Sequence, residues 1–265
     1  MMQRREFLAA SALSSVGLGT GQLSLDALGP IAPASASTRK ILIAGGGFKE
    51  AFIRYMAVLT GKQRPRLCYL PTASADSAEG IISWYQSCAS LEVTPLVQTS
   101  FIESISQTRG WEEVFLSMDG IVVSGGNTLN QQAIWKAQGI DAVLREAWDR
   151  GIVLGGASAG SLCWFEEGTT DSRPKELTTV KCLGFLKGSH SPHYDKEPAR
   201  RPTYQRLIGS GAMKPGYACD NDAGIYFEDN EVKRVVSARE GAKVYYVSVV
   251  GGTVVEKAFE PDHIA

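Results

Sequence analysis

The chain has 265 residues, of which 44% are hydrophobic and 21% charged, and its formal net charge is -1. That balance excludes intrinsic disorder, collagen-like repetition and coiled coil, and it lacks the basic excess that nucleic-acid partners normally require. Five widely spaced cysteines (Cys68, Cys88, Cys163, Cys182 and Cys219) contain no CxxC, so neither a zinc site nor a disulfide framework is expected; only His190, His193 and His263 are available for imidazole chemistry.

Residues 4–14 read Arg-Arg-Glu-Phe-Leu-Ala-Ala-Ser-Ala-Leu-Ser, and Ala34-Ser35-Ala36 follows a mildly apolar stretch. This is the layout of a signal peptide, and the twin arginine resembles bacterial signals read by the Tat export machinery. Gly17, Gly19, Gly21 and Gln22 interrupt the apolar stretch, which therefore falls short of the roughly 18 continuous apolar residues a membrane span requires. The expected organisation is a leader over residues 1–36 and one α/β domain over 37–265, exported to the periplasm or beyond the cell. Tat export of a folded chain is compatible with free thiols.

From Lys40 onward, short aliphatic runs alternate with helical periods, the pattern of a mostly parallel sheet with helices on both faces. Strands are predicted at 40–44, 66–70, 94–99, 120–124 and 152–155, and helices at 49–59, 77–88, 129–137 and 140–150. Three strands run into punctuated turns: Gly45-Gly46-Gly47-Phe48, Pro71-Thr72-Ala73-Ser74 and Gly125-Gly126-Asn127-Thr128. Ligands of open α/β sheets lie beyond the carboxyl ends of the strands, so these turns are expected to share a cleft. After Pro215 the strands at 224–228, 233–236, 243–250 and 253–259 suggest an antiparallel extension at one sheet edge.

The sharpest local signal is the apolar run Ile152-Val153-Leu154 leading into Gly155-Gly156-Ala157-Ser158-Ala159-Gly160-Ser161. Strand, small-residue turn and helix start in that order make a nucleophile elbow, with Ser158 projecting into the cleft. The backbone N–H of Ala159 at the helix start and one from the turn at Gly126 are the expected oxyanion donors. A serine nucleophile requires a base, and His193 in His190-Ser191-Pro192-His193-Tyr194-Asp195 is the candidate, with its backbone biased by Pro192; His190 reads as a supporting histidine. For the acid that orients the imidazole, Asp171 competes with Asp220 and Asp222, each of which is equally an ordinary turn aspartate.

These motifs, together with Leu70-Pro71-Thr72-Ala73 and the stretch from His193 through Lys196-Glu197-Pro198-Ala199-Arg200-Arg201-Pro202 to Tyr204, resemble the peptidase E and cyanophycinase family of serine peptidases. The resemblance spans roughly residues 40–254. It implies a fold similar to class I glutamine amidotransferases, with serine replacing cysteine, and hydrolysis of short peptides, foremost Asp-Xaa dipeptides. It also implies Ser158 as nucleophile, His193 as base, and no metal or cofactor. The resemblance points to Asp171 for the acid. A late-turn glutamate of the family falls on Asn221, a departure that leaves the acid open: Asp220 or Asp222 can serve after a one-residue shift, and an asparagine can itself orient an imidazole, as in Cys-His-Asn proteases. Asn127, Arg200 and Arg201 are expected to contact substrate, an arginine pairing with its carboxylate; Asp195 and Glu197 are placed to meet an amino group.

Two other readings share the serine. An α/β-hydrolase esterase would use the late His263 as base, and a binding protein on the same scaffold would hold a small ligand without turnover. No feature of the sequence marks an oligomeric state.

Overall fold

The computed structural model describes residues 37–101 and 104–265; the leader expected at 1–36 lies outside the described residues. Strand β1 (Lys40–Ala44) carries Ile41, Leu42, Ile43 and Ala44, all without solvent exposure. Such a run has no polar face because helices cover both sides of the sheet. Alternation then divides it: Ile41 and Ile43 pack with one helical layer, Leu42 and Ala44 with the other.

Helices α1 (Glu50–Leu59) and α2 (Ala78–Cys88) form one layer, contributing Phe52, Ile53, Met56, Trp84 and Cys88. On the opposite face, α3 (Trp111–Phe115), α4 (Thr128–Gln138) and α5 (Ile140–Asp149) bring Phe115, Trp135, Leu144 and Trp148. Ser77 caps α2 through Gly80 N–H at 3.3 Å, and Asn127 caps α4 through Asn130 N–H at 2.9 Å. The predicted helix boundaries agree with these ends to within a residue.

Between the layers run β2 (Arg66–Leu70), β3 (Thr94–Val97), β4 (Gly120–Val123) and β5 (Val153–Ala157), parallel to β1 in the order β1-β5-β4-β2-β3. Strands β10 (Ala223–Glu228) and β11 (Glu231–Ser237) extend this sheet antiparallel beyond β1, and β14 (Asp262–His263) closes its outer edge.

The other two late strands do not join that edge. Strands β12 (Val244–Val250) and β13 (Thr253–Phe259) belong to a second sheet, with β6 (Glu167–Thr170), β7 (Thr178–Lys181), β8 (Ser189–Ser191) and β9 (Gly216–Cys219), in the order β13-β12-β9-β8-β6-β7. Strands β6 to β9 carry no strand signal in the sequence because each spans only three or four residues, and β6 and β8 bury polar side chains. Thr169 and Ser191 hydroxyls pair at 2.8 Å, and Ser189 Oγ lies 2.8 Å from Tyr204 Oη. Polar groups that satisfy one another in this way are buried without a hydrophobic period. Helix α7 (Arg200–Gly209) covers this sheet through Tyr204 and Ile208. Among the described residues, no helix is long and apolar enough to cross a membrane.

Candidate active site

Strand β5 delivers its chain to Ser158, which adopts φ 58° and ψ −118° before α6 (Ala159–Leu162) begins. This is a strained conformation for a residue with a Cβ, and it is held by its surroundings. Helix α6 crosses so close to β4 that a Cβ on Gly160 would lie 2.1 Å from Val123 O, and one on Gly156 would lie 2.4 Å from the same oxygen. The GxSxG spacing is therefore a steric requirement of the strand-to-helix turn.

His193 arrives from the second sheet. Its backbone N–H donates to Gly45 O at 3.3 Å, which anchors the residue at the carboxyl end of β1, beside β5. The ring then spans two partners: Nε2 lies 2.8 Å from Ser158 Oγ and Nδ1 lies 2.7 Å from Asn221 Oδ1. An amide oxygen only accepts, so Nδ1 carries the proton and Nε2 is free to accept from the serine hydroxyl. Asn221 is fixed in turn. Its N–H donates to Asp195 Oδ1 at 2.8 Å, and Arg239 Nη2 donates to Asp195 Oδ2 at 2.6 Å and to Asn221 O at 2.9 Å.

None of the three expected aspartates reaches the imidazole. Asp171 is 67% exposed, its carboxylate 3.6 Å from Arg200 Nη2. Asp220 turns away to accept Lys243 N–H at 2.9 Å, and burial raises its pKa. Asp222 faces Arg239 Nε at 3.4 Å. The residue between the last two, Asn221, takes the orienting position, the alternative that the departure from the family's glutamate left open.

Of the expected oxyanion donors, Ala159 adjoins the serine directly, and Gly126 follows the glycine that packs on it. Ala159 is the first residue of α6, so its N–H has no intrahelical acceptor. On the other side, Gly125 packs on the nucleophile, a Cβ there falling 3.3 Å from Ser158 Cβ, and Gly126 follows it with φ 131°.

The expected substrate contacts are otherwise engaged. Asn127 uses its Oδ1 to cap α4 and its Nδ2 to reach Ser172 O at 3.2 Å. Arg200 is only 2% exposed, donating to Glu197 Oε2 at 2.6 Å and Thr169 O at 2.8 Å. Arg201 pairs with Glu256 and lies over the rings of Tyr194 and Tyr245. Burial and pairing of this kind are invisible in a linear string. Glu197 does approach the site, with Oε1 4.0 Å from His193 Nε2.

His190 lies beneath the elbow, fully buried and stacked on Phe165. Its Nδ1 faces Tyr217 O at 3.0 Å and its Nε2 faces Ser161 Oγ at 3.0 Å; Ser161 Oγ also lies 2.8 Å from Ser158 O. Desolvation drives its pKa down to about 3, so the ring is neutral. His263 lies in β14, separated from β5 by β11, β10 and β1, which removes it as a partner for Ser158.

Beside Ser158, between the β1–α1 turn and α2, is a cavity of about 280 Å³. Phe48, Lys49, Tyr69, Trp84 and Gly125 are among its walls.

The sequence matches Peptidase family S51 over residues 41–235. It is 41% identical, over 82% of this chain and 94% of the relative, to the Bacillus subtilis (strain 168) protein named uncharacterized peptidase YgaJ. The fold resembles the crystal structure of a peptidase from an acI-B1 Actinobacterium, with a TM-score of 0.66, 16% identity, and coverage of 86% of this chain and 96% of that one. It also resembles a Listeria monocytogenes EGD-e protein described as a peptidase E, with a TM-score of 0.57, 19% identity and coverage of 74% and 97%. The chain belongs to peptidase family S51 and is a serine-type peptidase.

Proposed function

We propose that this peptidase hydrolyses short peptides with an acidic N-terminal residue, foremost Asp-Xaa dipeptides, through an acyl-enzyme on Ser158. The observation that carries the reading is the continuous hydrogen-bonded chain Ser158 Oγ–His193–Asn221 at 2.8 and 2.7 Å. His193 Nε2 takes the hydroxyl proton as Ser158 attacks the scissile carbonyl, then returns it to the leaving amine. Asn221 holds the productive tautomer, in the manner of the asparagine in Cys-His-Asn peptidases. Backbone N–H groups of Ala159 and Gly126 stabilise the oxyanion, and water released into the cleft hydrolyses the ester with His193 again as base.

The cleft's small cavity supports a short substrate, since about 280 Å³ holds a residue-sized group. The leader reading adds that the enzyme works after export. Secretion of the folded chain that stops when Arg4 and Arg5 are both changed to Lys tests that part.

The activity is tested on Asp-Xaa dipeptides, β-aspartyl dipeptides and a short acyl ester with purified protein and its Ser158→Ala variant. Asp-Xaa cleavage lost in the variant supports the reading. Cleavage of the ester alone returns the site to an esterase, and silence on every substrate returns it to a binding role.

A further inference from the structure

The cations expected to read the substrate carboxylate are committed elsewhere, and another lies closer to the nucleophile. Lys49 and Ser158 line the same cavity, whose walls contain no acidic residue. Among the described residues, the Lys49 ammonium has no hydrogen-bond or ion-pair partner, and neither do the hydroxyls of Ser83 and Ser87, which line the cavity from α2. The acids nearest the lysine's turn are already paired. Glu50 accepts from Arg54 at 2.6 Å and from Ser90 at 2.9 Å, and Asp222, close to Gly47, faces Arg239.

An unpaired cation with two free hydroxyls in an acid-free recess is complementary to an anion. Phe48 and the stacked pair Tyr69 and Trp84, with ring centroids 5.4 Å apart, supply apolar wall that suits the carbon skeleton of a side chain. The recess borders Ser158 and Gly125 but not His193. The leaving amine must stay at His193 to collect its proton, so the recess receives the acyl side of the scissile bond.

We infer that this recess is the subsite for the carboxylate side chain of the acyl residue, with Lys49 as the specificity-determining cation. The assignment rests on the serine-peptidase reading of Ser158 given above. Lys49 sits in the turn after Gly45-Gly46-Gly47-Phe48, so one loop contributes both the floor beneath His193 and the cation that selects the substrate.

The test compares kcat/KM for Asp-Leu and its near-isostere Asn-Leu in wild type, Lys49→Met and Lys49→Glu, with fluorophosphonate labelling of Ser158 followed in each. The ratio of the two substrates is the readout, which cancels any loss of folded protein. Wild type is expected to prefer Asp-Leu, and Lys49→Met to reduce the Asp/Asn preference by about 10- to 100-fold, the value of one hydrogen bond to a charged group. Lys49→Glu should invert the preference. An Asp/Asn ratio unchanged in both variants overturns the subsite, as does a wild type that labels at Ser158 yet shows no preference for Asp-Leu. Failure of wild type both to label and to cleave any peptide removes the underlying serine-peptidase reading, and this assignment with it.

Discussion

His193 Nδ1 lies 2.7 Å from Asn221 Oδ1, so the imidazole that faces Ser158 is oriented by a neutral amide and not by a carboxylate. The negative charge of a Ser-His-Asp arrangement is one step further out, on Asp195, which accepts the Asn221 N–H and is itself paired with Arg239. The amide fixes ring and tautomer; the Asp195–Arg239 pair fixes the amide.

Replacing the amide by a charge separates those roles. Asn221→Asp keeps the shape and adds an anion that stabilises protonated imidazole, so the acid limb of kcat/KM against pH should move to higher pH. Asn221→Ala removes the orienting acceptor and should lower kcat by about 100- to 10,000-fold. Full pH–rate profiles of both variants check this; an Asn221→Ala enzyme with wild-type kcat would show that the amide does not position the base.

The elbow makes a prediction about stability. In Gly160→Ala the new methyl meets Val123 O at 2.1 Å, a backbone atom that cannot swing aside, so α6 must move away from β4. A loss of about 3 kcal/mol or more is expected, with Ser158 displaced from His193. Urea unfolding monitored by tryptophan fluorescence measures it, and a variant within about 0.5 kcal/mol of wild type would contradict the close-packed turn.

The bounds of β1 and β2 are as predicted because strands buried on both faces read as unbroken aliphatic runs. Ser158 and His193 are legible too, since the elbow needs glycines at fixed spacing and few histidines compete. Of the second sheet only β12 and β13 are legible; β6 and β8 are not, because Thr169, Ser189, His190 and Ser191 are buried by pairing with one another and with backbone, not by being apolar. Asn221 escapes a search for acids, and the burial of Arg200 cannot be told from the exposure of its neighbour Arg201 by composition. The Lys49 recess is assembled from the β1–α1 turn, α2, β4 and β5, segments far apart in the chain.

Acid sensitivity follows from His190. Its folded pKa of about 3 lies below the unfolded value near 6.5, so between those limits the unfolded chain takes up a proton that the folded chain refuses. Stability contributed by the neutral buried ring is complete above about pH 6.5 and is lost as pH falls toward 3, by as much as a few kcal/mol. His190→Gln should flatten the dependence of unfolding free energy on pH in that window, although it lowers stability at pH 7. NMR of the wild-type ring offers an independent check: a His190 that titrates near pH 6 in the folded protein would contradict the assignment.

The most direct test of the central claim is phosphonylation by a fluorophosphonate, with the adduct located by peptide mapping in wild type, His193→Ala, Asn221→Ala and Asp171→Ala. A single adduct on Ser158 is expected, abolished by His193→Ala, slowed by Asn221→Ala and formed at the wild-type rate in Asp171→Ala. An adduct on another residue would contradict it, as would labelling that depends on Asp171 and not on Asn221.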